Sequence, residues 1–270
     1  MSEAMPDQAS VTQAVDLGFR AATEPQLAAT AEETVTVVIP ARNEADHIEA
    51  ALTSVARQHY PLHRLEAVVV DNGSTDGTAE LALGFAARHP ELRVTVVNEP
   101  TAGVSLAKNR GAQVASGSIL IFLDADSRMD PDVVRDVVAK YREGSRAGSI
   151  RVVADSQNWL ERGFFDLMEL GQVLFSIRTQ MMYCDRALFL SLKGYRPELH
   201  LAEDLEFLKR VKASAARARA NGHEPVCHIR SSVISTSPRR LRELPFHLSI
   251  VTVFLRWALA FIGVGRRSRY

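Results

Sequence analysis

Residues 102–127 read AGVSLAKNRGAQVASGSILIFLDADS, and this stretch decides the fold. Residues that favour a helix run from about Ser105 to Ala115, and the continuous apolar run Ile119–Leu123 follows them. A short apolar run without alternation is typical of a strand that is buried on both faces, as in a parallel sheet. The strand ends at Asp124, and a second acid, Asp126, comes one residue later. The stretch therefore predicts a helix, a buried strand and an acidic loop in direct succession.

The same alternation of strand and helix extends in both directions along the chain. Further strands are predicted at Val35–Ile39, Ala67–Val70 and Val94–Val97, and further helices at about 48–56, 78–88 and 131–141. Four strand and helix units in succession favour a parallel sheet with right-handed crossovers. We therefore expect an α/β fold with a doubly wound, mostly parallel sheet flanked by helices.

The second half of the chain is less regular. Its predicted elements are a strand near Ser149–Val153, a helix at about 159–178, a strand at Met181–Cys184, a helix at Glu203–Ala220, and strands at Val226–Ile229 and Val233–Ser235. Residues 34–240 contain no repeat and no low-complexity linker, so we expect one domain there. Residues 1–33 have few large apolar side chains and are expected to form a flexible leader. Residues 241–270 are expected to form a C-terminal apolar and basic helix.

Composition argues against some classes of function. The 32 basic and 32 acidic side chains cancel, so no strong electric field attracts the protein to nucleic acid. The two cysteines, Cys184 and Cys227, lack the spacing of metal ligands and cannot form a disulfide framework. The N-terminus lacks the pattern of a secretion signal, so a cytoplasmic location is expected.

Two acids are expected to meet although 53 residues separate them. Asp71 and Asp124 each follow a predicted buried strand, and open α/β sheets bind ligands beyond the carboxyl ends of their strands. Asp71 begins DNGSTDGT (71–78), in which Gly73 and Gly77 permit tight turns. Its carboxylate can accept a hydrogen bond from uracil or guanine. The alternative is a plain loop between strand and helix.

The acidic pair of residues 124 and 126 suits a divalent cation. Hard cations prefer carboxylate oxygens, and a diphosphate leaving group needs its charge neutralised. Asp124 can face a ribose while Asp126 holds the metal. The alternative is that Asp126 or Ser127 only caps the next helix, but the position opposite Asp71 favours a metal site.

Two further clusters have charged side chains that suit catalysis or phosphate binding. In AEDLEF (202–207), Glu203 and Asp204 open a predicted helix, where one can act as a general base and the other can orient it. Alternatively, both acids only stabilise the helix dipole. In TSPRR (236–240), Arg239 and Arg240 can pair with phosphate oxygens, or they are simply surface arginines.

The order of these motifs resembles the inverting glycosyltransferases of family 2, which have the GT-A fold. The resemblance covers about 34–240 and includes VVIPARNEA (37–45), in which Asn43 and Glu44 would otherwise suit a helix start. It implies transfer of a single sugar from a nucleotide-diphosphate sugar, with a UDP-sugar favoured, to an unknown acceptor hydroxyl, with inversion at the anomeric carbon. It also implies that residues 34–127 bind the nucleotide and that residues 128–240 bind the acceptor.

The resemblance also implies the roles of site residues. Asp204 is the expected catalytic base, with Glu203 beside it, and Asp126 is the expected ligand of Mg²⁺ or Mn²⁺. The expected nucleotide-sugar contacts are Pro40, Ala41, Glu44, Asp71, Gly73, Lys108, Asp124, Ala125, Arg239 and Arg240. His228 is a candidate for a further metal ligand, although a lone histidine is more often structural. The chain lacks the Q-x-x-R-W signature of the processive polymer synthases, which favours transfer of a single sugar.

Two other functions fit parts of this pattern. A sugar-1-phosphate nucleotidylyltransferase also has an α/β nucleotide crevice, but it normally has a G-x-G-T-R loop where this chain has PARNE. A non-catalytic partner protein with the same fold is the other alternative. The presence of both Asp126 and Asp204 counts against it.

The C-terminal segment 244–264 has many large apolar residues. Arg256 lies near the middle of its 21 residues, and a central arginine costs about 2.5–3.5 kcal/mol on membrane-insertion scales. Arginines flank the segment on both sides and suit anionic lipid headgroups. We expect this segment to contact the inner face of a membrane, a second copy of the chain or the domain itself.

Overall fold

The computed structural model describes residues 33–174, 181–199, 203–217 and 226–242, and the account below is restricted to them. The strands are β1 Val35–Ala41, β2 Leu65–Asp71, β3 Arg93–Asn98, β4 Ile119–Phe122, β5 Ser127–Met129, β6 Ala147–Ala154, β7 Tyr183–Asp185 and β8 Val226–Thr236. The helices are α1 Ile48–Ala56, α2 Thr78–Arg88, α3 Val104–Val114, α4 Val133–Arg142, α5 Trp159–Leu174, α6 Arg186–Ser191, α7 Glu203–Arg217 and α8 Arg239–Arg242.

The eight strands form one sheet in the order β3-β2-β1-β4-β7-β6-β8-β5. β1 lies between β2 and β4 and is parallel to both, with Val35 opposite Leu65 on one side and Ile119 on the other. β3 extends this parallel half, whereas β7 runs antiparallel to both β4 and β6. The carboxyl ends of β1, β2 and β4 therefore lie side by side at one edge of the sheet.

Helices cover both faces of the parallel half, as the continuous apolar strands require. Alternate residues of β1 point to opposite faces, so Val37 and Ile39 pack with the apolar sides of α1, α2 and α4. Val38, between them, packs on the other face with residues of α3, α6 and α7. The predicted doubly wound α/β architecture, a sheet flanked by helices on both faces, is confirmed.

The second half differs from the prediction in several elements. The two strands predicted at 226–229 and 233–235 are one strand, β8, with an irregularity. Ile150 of β6 lies opposite Ile229, but Arg151 lies opposite Val233, so residues 230–232 form a bulge. Residues that look like a loop between two strands are in fact extra residues within one ladder. The short elements β5 and α6 were not predicted, because each has too few residues to show a period.

Some expectations fall outside the described residues. The helices predicted to reach residues 178 and 220 are described as far as Leu174 and Arg217. The leader lies outside them except for Glu33, whose carboxylate pairs with Arg142. The segment 244–264 also lies outside them. Within the described part of the chain, no helix is both long enough and apolar enough to cross a membrane.

Candidate active site

The loops that follow β1 and β2 are joined to each other by hydrogen bonds. The amide of Asn43 donates to Ser74 Oγ at 3.0 Å, and the Asn43 side-chain oxygen accepts from the amide of Thr75 at 2.9 Å. The amide of Ala45 donates to Asp76 Oδ2 at 3.0 Å. Asn43 thus fixes the neighbouring loop and does not cap α1. These bonds give the crevice one preformed wall.

Glycines make the second of these loops possible. Gly73 and Gly77 have φ angles of +76° and +88°, in the left-handed region that residues with a Cβ rarely adopt. The tight turns predicted at both glycines are confirmed. The chain turns back at Gly73, and the amide of Ser74 donates to Asp71 Oδ1 at 3.1 Å.

Asn72 connects this loop to the start of α3. Its side chain is buried and donates to the carbonyls of Glu99 and Thr101, at 2.8 and 2.7 Å. Its oxygen accepts from the amide of Gly103 at 2.7 Å. Asn72 was not predicted from the sequence, although a polar residue directly after a buried strand was a usable signal.

The structure brings Asp71 and Asp124 to one edge, as predicted. Asp71 lies opposite Ala41 in the β1–β2 register, and the amide of Leu123 donates to Val38 O of β1 at 3.0 Å. The two acids therefore flank the end of β1, which places their backbones roughly 10 Å apart, two strand spacings. Pro40 and Ala41 lie between them. Asp124 is exposed and Asp71 is partly buried.

Asp126 is joined to two distant parts of the chain. The amide of Ser237 donates to its carbonyl at 3.1 Å, so the TSPRR motif lies beside the acidic loop. Arg239 Nη2 lies 3.3 Å from Asp126 Oδ2 and also pairs with Glu44 Oε1. The other oxygen of Glu44, Oε2, is buried and has no hydrogen-bond partner among the described residues. One guanidinium thus joins the β1 loop, the acidic pair and the C-terminal motif.

This donor set fits an open metal site. Among the described residues, no three His, Cys, Asp or Glu side chains surround a common point that a metal ion could take. Mg²⁺, however, is usually held by one or two carboxylates, while water and substrate phosphates complete its shell. Asp126 can be such a carboxylate. Only 9% of its side chain is exposed, and the hydrogen bonds that its Oδ1 accepts from the hydroxyls of Ser127 and Thr236 are long, at 3.4 and 3.5 Å.

His228 is engaged elsewhere. Its Nδ1 lies 2.8 Å from Ser149 Oγ, and its Nε2 lies 2.8 Å from Glu169 Oε1. Because both ring nitrogens have partners, His228 is a structural residue that joins β8 to β6 and α5. It does not supply a further metal ligand in this arrangement.

Asp204 opens α7 in a largely buried position. Its side chain is 14% exposed, and the Lys108 ammonium lies 3.8 Å from its Oδ1. Burial raises the pKa of Asp204 to about 6; the positive charge of Lys108 opposes this, and Glu203 and Asp124 add to it. A carboxyl group with such a pKa can exchange a proton near neutral pH.

Tyr195 lies next to this carboxylate and was missed in the sequence. The ammonium of Lys108 is 5.3 Å from its ring centre, and Asp204 adds to the burial that raises the pKa of its hydroxyl. The hydroxyl of Tyr195 and Asp204 Oδ1 are both buried, and neither has a hydrogen-bond partner among the described residues. An aromatic residue after the glycine of Lys193-Gly194-Tyr195 was the available signal.

The remaining predicted contacts occupy varied surroundings. Ala125 is buried, Gly73 is exposed and Glu203 is partly buried. Arg240 follows Arg239 in α8, but its side chain is not among the parts of the chain that the structure describes. Asp204, from the second half of the chain, lies close enough to Asp124 for the charges of the two acids to interact.

The sequence of this chain is similar to those of known glycosyltransferases. Residues 36–190, more than half of the chain, match the family model described as glycosyl transferase family 2. Glycosyltransferase AglE of Haloferax volcanii is 44% identical over 149 residues, which are 55% of this chain and 40% of that protein. A PGL/p-HBAD biosynthesis glycosyltransferase of Mycobacterium tuberculosis is 33% identical over 63% of this chain and 66% of its own length. The chain thus spans well under the full length of these relatives.

Known structures have the same fold. The mannosyltransferase PcManGT of Pyrobaculum calidifontis, in complex with GDP-Man and Mn²⁺, matches with a TM-score of 0.61 and 25% identity, over 77% of this chain and 58% of that one. S. aureus TarS 1–349, in complex with UDP, matches with a TM-score of 0.57 and 22% identity, over 76% and 61%. The second likeness concerns the fold alone.

Proposed function

Because this chain belongs to glycosyl transferase family 2, we propose that it transfers one sugar from a nucleotide-diphosphate sugar to an acceptor hydroxyl. The contact of Arg239 with both Glu44 and Asp126 carries the proposal. It brings a cation suited to phosphate within 3.3 Å of a carboxylate suited to a metal ion, at the edge where the parallel strands end.

Donor binding uses the crevice side of β1, β2 and β4. In this proposal Asp71 binds the base, Asp124 faces the ribose, and the backbone at Pro40, Ala41, Gly73 and Ala125 lines the nucleotide. Arg239 and Arg240 contact the phosphates, and Glu44 holds Arg239 in place. Asp126 holds Mg²⁺ or Mn²⁺, which would neutralise charge on the leaving diphosphate. Mn²⁺ in the PcManGT complex supports a divalent ion.

Asp204 acts as the base in a direct displacement. It takes the proton from the acceptor hydroxyl as the acceptor oxygen bonds to the anomeric carbon. The bond from that carbon to the diphosphate oxygen breaks in the same step, so the configuration is inverted. Glu203, next to Asp204, contributes to the acidic surroundings of this base.

The donor base is proposed to be uracil, because a carboxylate can accept its imide N–H. The complex of PcManGT, however, contains GDP-Man. UDP- and GDP-sugars therefore have to be tested together.

The proposal is tested by incubating the protein with a panel of UDP- and GDP-sugars, with Mg²⁺, Mn²⁺ or a chelator, and measuring release of the nucleoside diphosphate. We expect metal-dependent release and a melting temperature raised most by the matching nucleoside diphosphate. Release of pyrophosphate from a nucleoside triphosphate and a sugar phosphate would indicate the nucleotidylyltransferase. Binding without any turnover, with acceptors of several classes, would indicate a non-catalytic relative.

The segment 244–264 is proposed to attach the enzyme peripherally to a membrane or to a second copy. Arg242, the last described residue, pairs with Glu161 at the start of α5 at 2.7 Å. The chain therefore leaves the described region beside a helix that exposes Trp159, Leu167 and Leu170. Liposome flotation and light scattering, with the full chain and with a chain ending at Pro245, test this proposal. Unchanged flotation and unchanged mass would contradict both forms of it.

A further inference from the structure

We propose that Lys108 and Tyr195 are positioning residues that hold one oxygen of Asp204 and leave the other as the proton acceptor. The assignment rests on the proposed function, because it concerns the same base. It arises from three elements that meet at one carboxylate: α3 supplies Lys108, the chain after α6 supplies Tyr195, and α7 begins with Asp204.

The two oxygens of Asp204 have different surroundings. Oδ1 is buried, lies 3.8 Å from the Lys108 ammonium and has no hydrogen-bond partner among the described residues. The hydroxyl of Tyr195 is buried as well, and the charge of Asp204 influences its pKa. Oδ1 is therefore the oxygen on the side of the protein interior. In the reaction the acceptor's proton passes to Oδ2, while Oδ1 keeps the interior contacts.

Lys108 balances the negative charges that surround Asp204. The carboxylates of Glu203, on the same helix, and of Asp124, at the end of β4, both act on Asp204 in the direction that favours its protonation. Lys108 opposes them from α3, and only 9% of its side chain is exposed. A partly desolvated ammonium within 4 Å stabilises the charged form of a carboxylate. Lys108 thus keeps the base ionised among other acids.

The position of Tyr195 is fixed by its backbone and by its ring. Asn109, next to Lys108 on α3, donates to the carbonyl of Tyr195 and accepts from its amide, both at 2.8 Å. Gly194 makes this approach possible, since its φ is +60° and a Cβ there would lie 2.3 Å from Asn109 Oδ1. The ring packs against three phenylalanines with centroids 5.4–5.7 Å away: Phe122, Phe189 and Phe207.

Arg210 holds the start of α7 to the same chain segment. It donates to the carbonyl of Gly194 at 2.7 Å and pairs with Glu206, four residues before it, at 2.8 Å. The turn of α7 that follows Asp204 is therefore tied to the residue before Tyr195. Movement of the base relative to its two positioning residues would require these bonds to break.

The test is a titration of the Asp204 carboxyl, monitored by ¹³C NMR in the full chain without substrate. The signal of Asp204 is identified as the one that is lost in Asp204→Asn. We expect Lys108→Met to raise the pKa of Asp204 by about one unit or more. Tyr195→Phe, which keeps the ring packing, is expected to raise it less. Lys108→Arg keeps the charge and is expected to stay nearest to the wild type. Lys209→Met, an exposed lysine on α7, is the matched control and should leave the titration unchanged.

Kinetics supply the second readout. In the Lys108→Met enzyme, kcat is expected to fall and its acidic limb to move to higher pH, while the KM for the donor stays within about twofold. An unmoved Asp204 titration in both Lys108→Met and Tyr195→Phe would overturn the proposal. A donor affinity lowered tenfold with an unmoved titration would instead make Lys108 a diphosphate contact. If no sugar nucleotide is turned over, the proposed function fails, and the NMR titration still decides whether these residues position Asp204.

Discussion

The acidic loop at residues 124–126 and the start of α7 both present a carboxylate to the crevice, but they balance its charge differently. Asp126 has a guanidinium at 3.3 Å and two hydroxyls near its other oxygen. Asp204 has an ammonium at 3.8 Å and a buried oxygen without a hydrogen-bond donor among the described residues, and its pKa is raised to about 6. The first arrangement suits a carboxylate that holds a cation. The second suits a group that gains and loses a proton.

The largest expected effect comes from removing the proton acceptor. Asp204→Asn keeps the size of the side chain but cannot take a proton, so kcat should fall by about 10²- to 10⁴-fold. Donor affinity should stay unchanged, because the proposed donor contacts lie around Asp71, Asp124 and Asp126. Initial rates and calorimetric binding of the donor, measured on the same preparation, check both statements.

Glu203→Gln is the matched control for this prediction, because the two acids are adjacent at the start of the same helix. We expect it to retain far more activity than Asp204→Asn. If Asp204→Asn turned over at nearly the wild-type rate and Glu203→Gln did not, Glu203 would be the base, and the assignment of roles within the pair would be wrong.

The second prediction concerns the other carboxylate. Asp126→Ala should weaken metal-dependent binding of the nucleoside diphosphate by about 10- to 100-fold, because the phosphates would lose the ion that Asp126 is proposed to hold. A chelator should have the same effect on the wild type. Asp166→Ala removes an exposed acid on α5 that pairs with Arg151 and serves as the control. Equal affinities for wild type and Asp126→Ala, with and without metal, would exclude this role.

The sequence located the three acids at the strand ends for a simple reason. Asp71, Asp124 and Asp126 follow buried strands, and the parallel topology brings such positions to one edge whatever the loops do. Tyr195 was not found, because its role depends on Asn109, 86 residues away, and on a glycine with positive φ. A contact of that length leaves no periodic trace in the sequence.

Irregular strands were also beyond the sequence pattern. Residues 230–232 of β8 have no counterpart in β6, so a continuous strand looked like two strands with a loop. The hydrogen bond from Arg239 to Glu44 joins residues that are 195 positions apart, and the sequence pattern could not predict it, although each of the two residues was predicted separately to belong to the site. The sequence patterns identified individual charged residues of the site, but only the tertiary structure shows which of them contact each other.

The third prediction tests the raised pKa of Asp204 through the pH dependence of protein stability. The pKa of Asp204 is raised in the folded state, so its ionisation costs stability as pH rises through the unfolded-state value near 4, and the cost is complete above about 6. Asp204→Asn should therefore stabilise the free protein by about 2–3 kcal/mol at pH 8 and by little at pH 4. Urea unfolding at both pH values checks this. A stabilisation that did not depend on pH would contradict a raised pKa.

The smallest expected effects come from a pair of helical glycines, one in each half of the chain. At Gly111 of α3, a Cβ would lie 2.3 Å from Val38 Cγ1, so Gly111→Ala must overpack the contact between helix and sheet at a cost of about 1–3 kcal/mol. That cost offsets or exceeds the gain of about 1 kcal/mol that alanine brings to a helix.

At Gly163 of α5, a Cβ meets nothing within 4 Å, so Gly163→Ala should show only the gain, about 0.5–1 kcal/mol. Urea denaturation should therefore show a higher midpoint for Gly163→Ala, and an unchanged or lower midpoint for Gly111→Ala. A stabilised Gly111→Ala protein would mean that α3 can move away from β1, and the close packing that holds Lys108 against Asp204 would then be looser than the structure shows.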